Sequence, residues 1–414
     1  MNRRPALHGI RVLDFTRAMA GPYGTQVLAD FGADVVRIES VPQVDGVISD
    51  RGSGVTKING ESPMFMTYNR NKRSLCLDLR APATRAVLDR LIGSADVLVQ
   101  NFRPGVAERM GIGWEHAHEL NERLIYVSIN GFGTKGPWRD RQGIDVVIQA
   151  MSGVMSVTGE QDGDPVLCGA PVADFSTAMV QAQGVLLALL ERSVSGVGQH
   201  VEVPMLAVAF SSLAHHLGPY FATGTDPVRR GSGHSQFAPF QAFRTADGYG
   251  IGGVTRERQW APFCRVIGMP ELIDDPRFAH NADRVAHREE IVALVAPRFP
   301  ARTSAAWEEA FAEAGVPFGA VNSFSQALES EHADANDMIT SVDHPLAGPF
   351  RMVAPPLRLS ATPARVRRAA PLLGEHSRDV LADAGFGADE IDGLVADGVV
   401  VDGAPLPAAA GEGS

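Results

Sequence analysis

Residues 8–39 read HGIRVLDFTRAMAGPYGTQVLADFGADVVRIE, and three structural signals follow one another within them. IRVLDF (10–15) is a short β-rich apolar run, GPYGTQVLADFG (21–32) a turn leading into a short helix, and ADVVRIE (33–39) a second apolar strand. Strands this apolar, joined through a helix, belong to a parallel sheet covered on both faces. RSLCLDL (73–79), ADVLVQ (95–100) and LIYVSI (124–129) repeat the strand signal, and APATRAVLDRLIGS and GVAERMG supply helices between them. The alternation predicts an α/β fold built on a doubly wound, mostly parallel sheet. The turn after the first strand, TRAMAGPYG, lacks the GxGxxG spacing, and no Walker lysine motif is present. Nicotinamide chemistry and phosphoryl transfer both lose ground on that account.

At 414 residues the chain exceeds most single cores, and two domains are the expectation. Its 45% hydrophobic and 21% charged residues are those of a soluble globular enzyme. With 37 basic against 48 acidic residues the net charge is −11, so neither nucleic acid nor an anionic membrane is an expected partner. Cys76, Cys168 and Cys264 show no CxxC spacing, which argues against a zinc knuckle or a disulfide framework and fits the cytoplasm. The first residues, MNRRPALHGIRVLDF, run straight into a strand pattern with no signal-peptide h-region, and VLLALL (185–190) is too short to span a bilayer.

Beyond the strands, DFSTAMVQAQGVLLALLER (174–192) is a helix almost without charge, as expected in a large core or a subunit interface. HVEV is a short strand, and PMLAVAFSSLAHHLGPYFATG reads as one further apolar helix carrying His215 and His216. Adjacent histidines on a helix point apart and no third ligand lies nearby, so no metal site is expected. From about residue 224 a Gly-rich loop (RGSGH, 230–234) leads into a hairpin with a DG turn at 247–248. The expected organisation is a large α/β domain over 1–223, a smaller α+β domain over 224–330, and a return segment over 331–414 that completes the first. The tail from 403, rich in Ala, Gly and Pro, is expected to be mobile.

One carboxylate stands out in GAPVADFSTAM (169–179): Asp174 ends a Gly/Ala/Pro/Val run directly ahead of the apolar helix. It reads either as a helix N-cap, which the dipole favours, or as a partly desolvated group kept for chemistry.

Taken together, HGIRVLDFTRAMAGPYGTQVLADFGADVVRIE, NRNKRSLCLDLR, ADVLVQNFRPGVAERMG, INGFGTKGP, TGEQDGDPVLCGAPVADFSTAM and PLLGEHSRDVL resemble the class III CoA-transferases (CaiB/BaiF type). That is the family of formyl-CoA:oxalate and carnitine CoA-transferases, and the resemblance runs from residue 8 to about 385. It implies a Rossmann-like large domain, a small domain and an interlocked homodimer. It also makes Asp174 the catalytic nucleophile, passing through an aspartyl–acyl anhydride and an aspartyl–CoA thioester. No cofactor is implied, coenzyme A thioester being a substrate. Asn101, Phe102 and Arg109 match positions that contact the coenzyme; Arg80 stands where relatives carry lysine; Leu77, Ala20 and Met205 match further contacts.

The chain departs from the formyl-CoA transferases at Met19, Ser40 and Ile144, where they carry glutamine, arginine and tyrosine. The related α-methylacyl-CoA racemases need a histidine where GIDVV places Ile144, which cannot carry a proton, and Asp145 is left to orient groups or cap a helix. The reading is thus acyl-CoA:carboxylate CoA transfer between small, dicarboxylic acids, with Arg17, Arg51 and Arg70 as candidate clamps for a distal carboxylate. The alternatives are a racemase or epimerase, and a CoA-thioester-binding protein without turnover.

Overall fold

The computed structural model describes residues 3–41, 51 and 54–403, so the tail expected to be mobile lies, but for its first residue, outside the described residues. In chain order the strands are β1 (Arg11–Asp14), β2 (Asp34–Ser40), β3 (Arg73–Leu77), β4 (Val97–Gln100), β5 (Ile125–Asn130), β6 (His200–Pro204), β7 (Phe240–Arg244), β8 (Tyr249–Gly253), β9 (Phe318–Ala320), β10 (Ile339–His344), β11 (Gly348–Val353) and β12 (Val400–Val401). The helices before residue 224 are α1 (Ala20–Asp30), α2 (Pro63–Tyr68), α3 (Thr84–Gly93), α4 (Val106–Arg109), α5 (Trp114–Leu120), α6 (Asp145–Ser152), α7 (Val154–Val157), α8 (Val172–Ser195), α9 (Met205–Ser212) and α10 (Ala214–Thr223).

The chain divides into two compact units. The first comprises Met1–Ser152, Cys168–Ala222 and Asn336–Ser414; the second comprises Gly153–Leu167 and Thr223–Ala335. The sequence places 153–167 in the large domain, but the structure gives this stretch to the second unit.

In the first unit seven strands form one sheet in the order β12-β3-β2-β1-β4-β5-β6. Every pair is parallel except β12 on β3. The pleat sends alternate residues to opposite faces. Leu13, Val36, Leu98 and Tyr126 therefore pack with Leu88 and Leu91 of α3 and with Val380 and Leu381 of the Ser377–Asp383 helix. Val12, Val35, Val97, Val99 and Val127 pack on the other face with Leu28 of α1, Val185 of α8 and Val208 of α9. Two cores explain why the strands read as continuous apolar runs.

Successive strands are laid down to one side of β1 as far as β3 and then to the other side from β4 to β6. The strand order thus reverses between β1 and β4, and at such a switch point the loops leaving the carboxyl ends part to form a crevice.

α8 is 24 residues long and, by length and composition, apolar enough to cross a membrane, which the shorter VLLALL run does not suggest. One side of it packs on the sheet through Ala173, Ala182, Val185 and Ala188, while Leu186, Leu187, Leu190 and Val194 are exposed. It packs on α1 at Gly24, where a Cβ would stand 2.3 Å from the Gln181 side-chain amide and 2.7 Å from the Ala178 carbonyl oxygen. The apolar run after β6, read as one helix, breaks at Leu213 into α9 and α10.

A buried polar network secures the carboxyl ends of β1 and the segment before β3. Asp14 and Lys72 are both fully buried, and Lys72 Nζ donates to Asp14 (2.9 Å), the Pro22 carbonyl (2.8 Å) and Asn69 Oδ1 (2.9 Å). Asp14 also accepts from the Thr16 backbone N–H (2.9 Å) and the Thr25 hydroxyl (2.7 Å). Burial alone would raise the Asp14 carboxyl, but Lys72, Arg37 and the Thr16 hydrogen bond bring it down to about 2. Burial holds the Lys72 ammonium down, at about 8, against the pull of Asp14. One network therefore fixes the β1–α1 turn and the 69–72 segment together.

The second unit is the smaller of the two. β7 and β8 form the expected hairpin, β9 joins β8, and the core is aromatic, with Phe243 and Phe299 stacked at 4.1 Å.

Replacing Lys72 by Met strands a buried carboxylate, and unfolding in urea at pH 7 is expected to show a loss of about 3–5 kcal/mol. Because the folded Asp14 value lies below that of the unfolded chain, the Asp14 contribution is complete above the unfolded value of about 3.9. It is lost as pH falls through about 2.

Candidate functional site

α8 opens at the carboxyl-terminal side of the sheet, and its first turn carries Asp174. The N-cap position falls on Pro171, which has no side-chain oxygen, and Asp174 stands two residues inside the helix. The cap reading of Asp174 is therefore corrected: the oxygen that closes this helix comes from Asp145. Asp145 Oδ1 accepts from the backbone N–H of Ala173 (2.9 Å) and of Asp174 itself (3.1 Å).

Local sequence explains how Asp145 is held. It begins α6, one helical turn before Gln149, whose amide donates to Asp145 Oδ2 at 2.7 Å. The Gln149 side-chain oxygen accepts from the Cys168 backbone N–H (3.0 Å), tying the segment before α8 to the same residue. The loop between β5 and α6 folds back so closely that a Cβ on Gly143 would lie 2.3 Å from the Gly131 Cα. Only glycine fits such a backbone-to-backbone approach.

With its neighbour doing the capping, the Asp174 carboxylate accepts no hydrogen bond among the described residues. It is half-buried. Burial first, and then the Asp145 charge, push its carboxyl up to about 6. Tyr68, ending α2, is also half-buried; burial and then the Asp174 charge raise its phenol, which stays protonated at neutral pH. Tyr23 of α1 bridges the two elements, its ring 5.9 Å from Tyr68 and 5.6 Å from Phe175. Gln181, its amide nitrogen turned toward α1, donates to the carbonyls of Ala20 (3.0 Å) and Gly21 (3.1 Å). The first turns of α1 and α8 thus form one fastened edge beside the carboxylate.

The remaining residues singled out in the sequence fall along the carboxyl ends of the strands. Ala20, buried, starts α1. Asn101 and Phe102 follow β4, and Asn101 grips the β1–α1 loop: its Oδ1 accepts from the Arg17 N–H (2.9 Å) and its Nδ2 donates to the Arg17 carbonyl (2.8 Å). Phe102 lies under the Arg17 guanidinium, 5.6 Å from ring centroid to carbon. These residues meet at the switch point.

The others differ in where and how deeply they sit. Leu77 ends β3 with its side chain fully buried in the core, and Met205, which opens α9, is buried as well. Arg80 and Arg109 are exposed, in the turn after β3 and at the end of α4. β3 and β6, which lead to Arg80 and Met205, stand five strand spacings apart, about 24 Å.

Two of the three candidate clamps are already committed. Arg51 pairs with both oxygens of Glu39 (2.9 and 2.8 Å), and Arg70 with both oxygens of Asp30 (3.1 and 2.8 Å). Tyr23, Tyr68 and Gln181 are additions the sequence reading did not make; for Asp145 it expected a helix cap or an orienting role, and the helix it caps is α8. The usable signals are two glutamines, Gln181 and Gln183, in an otherwise apolar helix and an Asp–x₃–Gln pair opening a short one.

The chain as a whole has counterparts among known proteins. Residues 7–377 match the family model described as CoA-transferase family III. The chain is 33% identical over 395 residues to the succinyl-CoA:glutarate CoA-transferase of Mus musculus, covering 95% of this chain and 90% of that protein. It is 35% identical over 417 residues to the formyl-CoA:oxalate CoA-transferase of Streptomyces coelicolor, covering 95% and 99%. Among solved structures, a CAIB/BAIF family protein from Brucella suis superposes with a TM-score of 0.81 at 32% identity, covering 92% of this chain and 100% of that one. A match across nearly the whole chain, together with these relatives, places the protein in CoA-transferase family III, and it is a CoA-transferase.

Proposed function

We propose that this enzyme moves coenzyme A between small dicarboxylic acids, with Asp174 as the nucleophile and no cofactor beyond its thioester substrate, in the cytoplasm. One observation carries the reading: a half-buried carboxylate, without a hydrogen-bond donor and raised to about 6, at the open end of a parallel sheet. The dicarboxylic class is supported by the relatives, whose names pair succinyl-CoA with glutarate and formyl-CoA with oxalate.

A carboxylate stripped of part of its solvent shell is a stronger nucleophile, and at neutral pH a group with this value is mostly ionised. One Asp174 oxygen attacks the thioester carbonyl, the carbon–sulfur bond breaks, and CoA leaves as thiolate. The resulting mixed anhydride is attacked at the aspartyl carbonyl by that thiolate, which releases the first acid and leaves an aspartyl–CoA thioester. The acceptor carboxylate attacks this thioester, and the thiolate then takes the acceptor acyl group and frees Asp174. No water is consumed, so the energy of the thioester is kept.

Asp145 contributes in two ways. Its hydrogen bonds fix the turn that carries Asp174, and its charge disfavours the free Asp174 carboxylate, a repulsion relieved once that group is acylated. The coenzyme contacts at Ala20, Leu77, Arg80, Asn101, Phe102, Arg109 and Met205 are part of this proposal; Leu77, whose side chain lies in the core, has only its backbone for the purpose.

A racemase reading is disfavoured: the position for a proton carrier is Ile144, and Asp145 spends its carboxylate on α8. A homodimer also belongs to the proposal, supported by the exposed Leu186, Leu187, Leu190 and Val194 of α8. Its mass in solution is expected to be twice that of the chain.

Incubation with succinyl-CoA followed by intact-protein mass spectrometry is expected to show a CoA adduct that maps to the peptide holding Asp174. An enzyme that transfers CoA without ever carrying such an adduct would overturn the reading. Asp174→Asn is expected to lose at least about a thousandfold in transfer rate. Its melting temperature at pH 7 should not fall, because a carboxyl raised on folding opposes the folded state once ionised. In wild type, kcat/KM should rise with pH through about 6. Asp145→Asn keeps an oxygen for the cap but removes the charge, so this limb is expected to move to lower pH.

A further inference from the structure

Arg17 is the one of the three candidate clamps left unengaged by any carboxylate, and its setting is built rather than incidental. Among the described residues no acid lies in ion-pair distance of it, whereas Arg51 and Arg70 are each held by both oxygens of a buried acid. Its backbone is bracketed on both sides by the Asn101 side chain, which joins the loops leaving β1 and β4. The residue after it, Ala18, has φ of 61°, a left-handed backbone that alanine adopts at a cost. The Phe102 ring supports the guanidinium from one side at 5.6 Å. Arg17 is half-buried as a residue, and its guanidinium offers a planar fork of donors and is less hydrated than an ammonium.

Its place relative to Asp174 follows from the fastened helices. Arg17 lies three residues before Ala20, at most about 10 Å of backbone. Ala20 in turn receives the Gln181 amide, and Tyr23 packs on Phe175, the residue beside Asp174. Both residues are therefore tied to the first turn of α1, Arg17 through the chain that leads into it and Asp174 through the packing of Phe175 on Tyr23. A second carboxylate on an acyl group carried by Asp174 would find in a guanidinium beside this turn a bidentate partner.

We propose that Arg17 binds the distal carboxylate of the dicarboxylic substrate and thereby sets the preference for dicarboxylic over monocarboxylic acids. The inference rests on Asp174-mediated transfer as proposed above and names the residue that reads the acid. A monocarboxylic acid leaves the guanidinium without a partner, and a site built for a polar group rejects the analogue that lacks it. The phosphates of the coenzyme carry the same kind of charge, and the test separates the two sources.

The measurement is kcat/KM for glutarate and for butyrate as acceptors of CoA from one common donor, in wild type, Arg17→Gln and Arg17→Lys. The expected result is a fall of about 30-fold or more in the glutarate-to-butyrate ratio for Arg17→Gln. Arg17→Lys should recover part of it, and circular dichroism should be unchanged. A ratio that stays within twofold of wild type overturns the proposal, and if KM for every CoA thioester rises alongside, the guanidinium belongs to a phosphate instead. A wild-type enzyme that forms no aspartyl–CoA adduct overturns the underlying reading, which a changed ratio alone cannot rescue.

Discussion

A helix N-terminus that is closed by a carboxylate from elsewhere in the chain is the constraint on which the site rests. Four N–H groups at the start of any α-helix need acceptors, and a helix with proline at its cap position cannot supply one. Asp145 supplies it for α8, and in doing so it leaves Asp174 inside the first turn with its oxygens unengaged. Had Asp174 been the cap, its carboxylate would be stabilised by backbone N–H groups and held at a low value, the opposite of what a nucleophile needs. The separation of the two roles between neighbouring acids creates a carboxylate that is both sheltered and free.

The same logic extends to the crevice. Its walls are loops, which are ordinarily the least ordered parts of a domain. Here Asp14, Lys72 and Asn69 hold one of them from below, and Asn101 holds it from the side. Each of these polar side chains acts on backbone or on another buried charge, so the loops share the rigidity of the sheet. Precision in the reacting geometry is then a property of the scaffold rather than of the substrate.

Much of this was legible in the sequence, for identifiable reasons. The parallel sheet was readable because doubly covered strands are largely apolar, and the central β1, β4 and β5 are. The importance of Asp174 was readable only through the motif around it, since a lone acid before an apolar helix is equally a cap. What could not be read are pairings between distant residues: Asp145 with the start of α8, Lys72 with Asp14, or Asn101 with Arg17. Nothing local in NRNK says that its lysine is fully buried, and nothing in GIDVV says which helix its acid closes. The assignment of 153–167 to the second unit escaped for the same reason, because composition does not change at either boundary.

The strand β12 carries a consequence for how the molecule is made. It pairs with β3 across more than 300 positions of chain, and the helices Ser377–Asp383 and Ala388–Ala396 cover the face of the sheet beside it. During synthesis, then, β3 must wait as a bare rim with one apolar flank uncovered while the whole second unit emerges from the ribosome. Contacts that span so much chain form late and slowly, and a nascent rim of this kind is where neighbouring polypeptides stick. For this architecture the hazardous interval spans most of translation, from the emergence of β3 to that of β12, and a chaperone that shields β3 until the final strand arrives answers a need written into its topology.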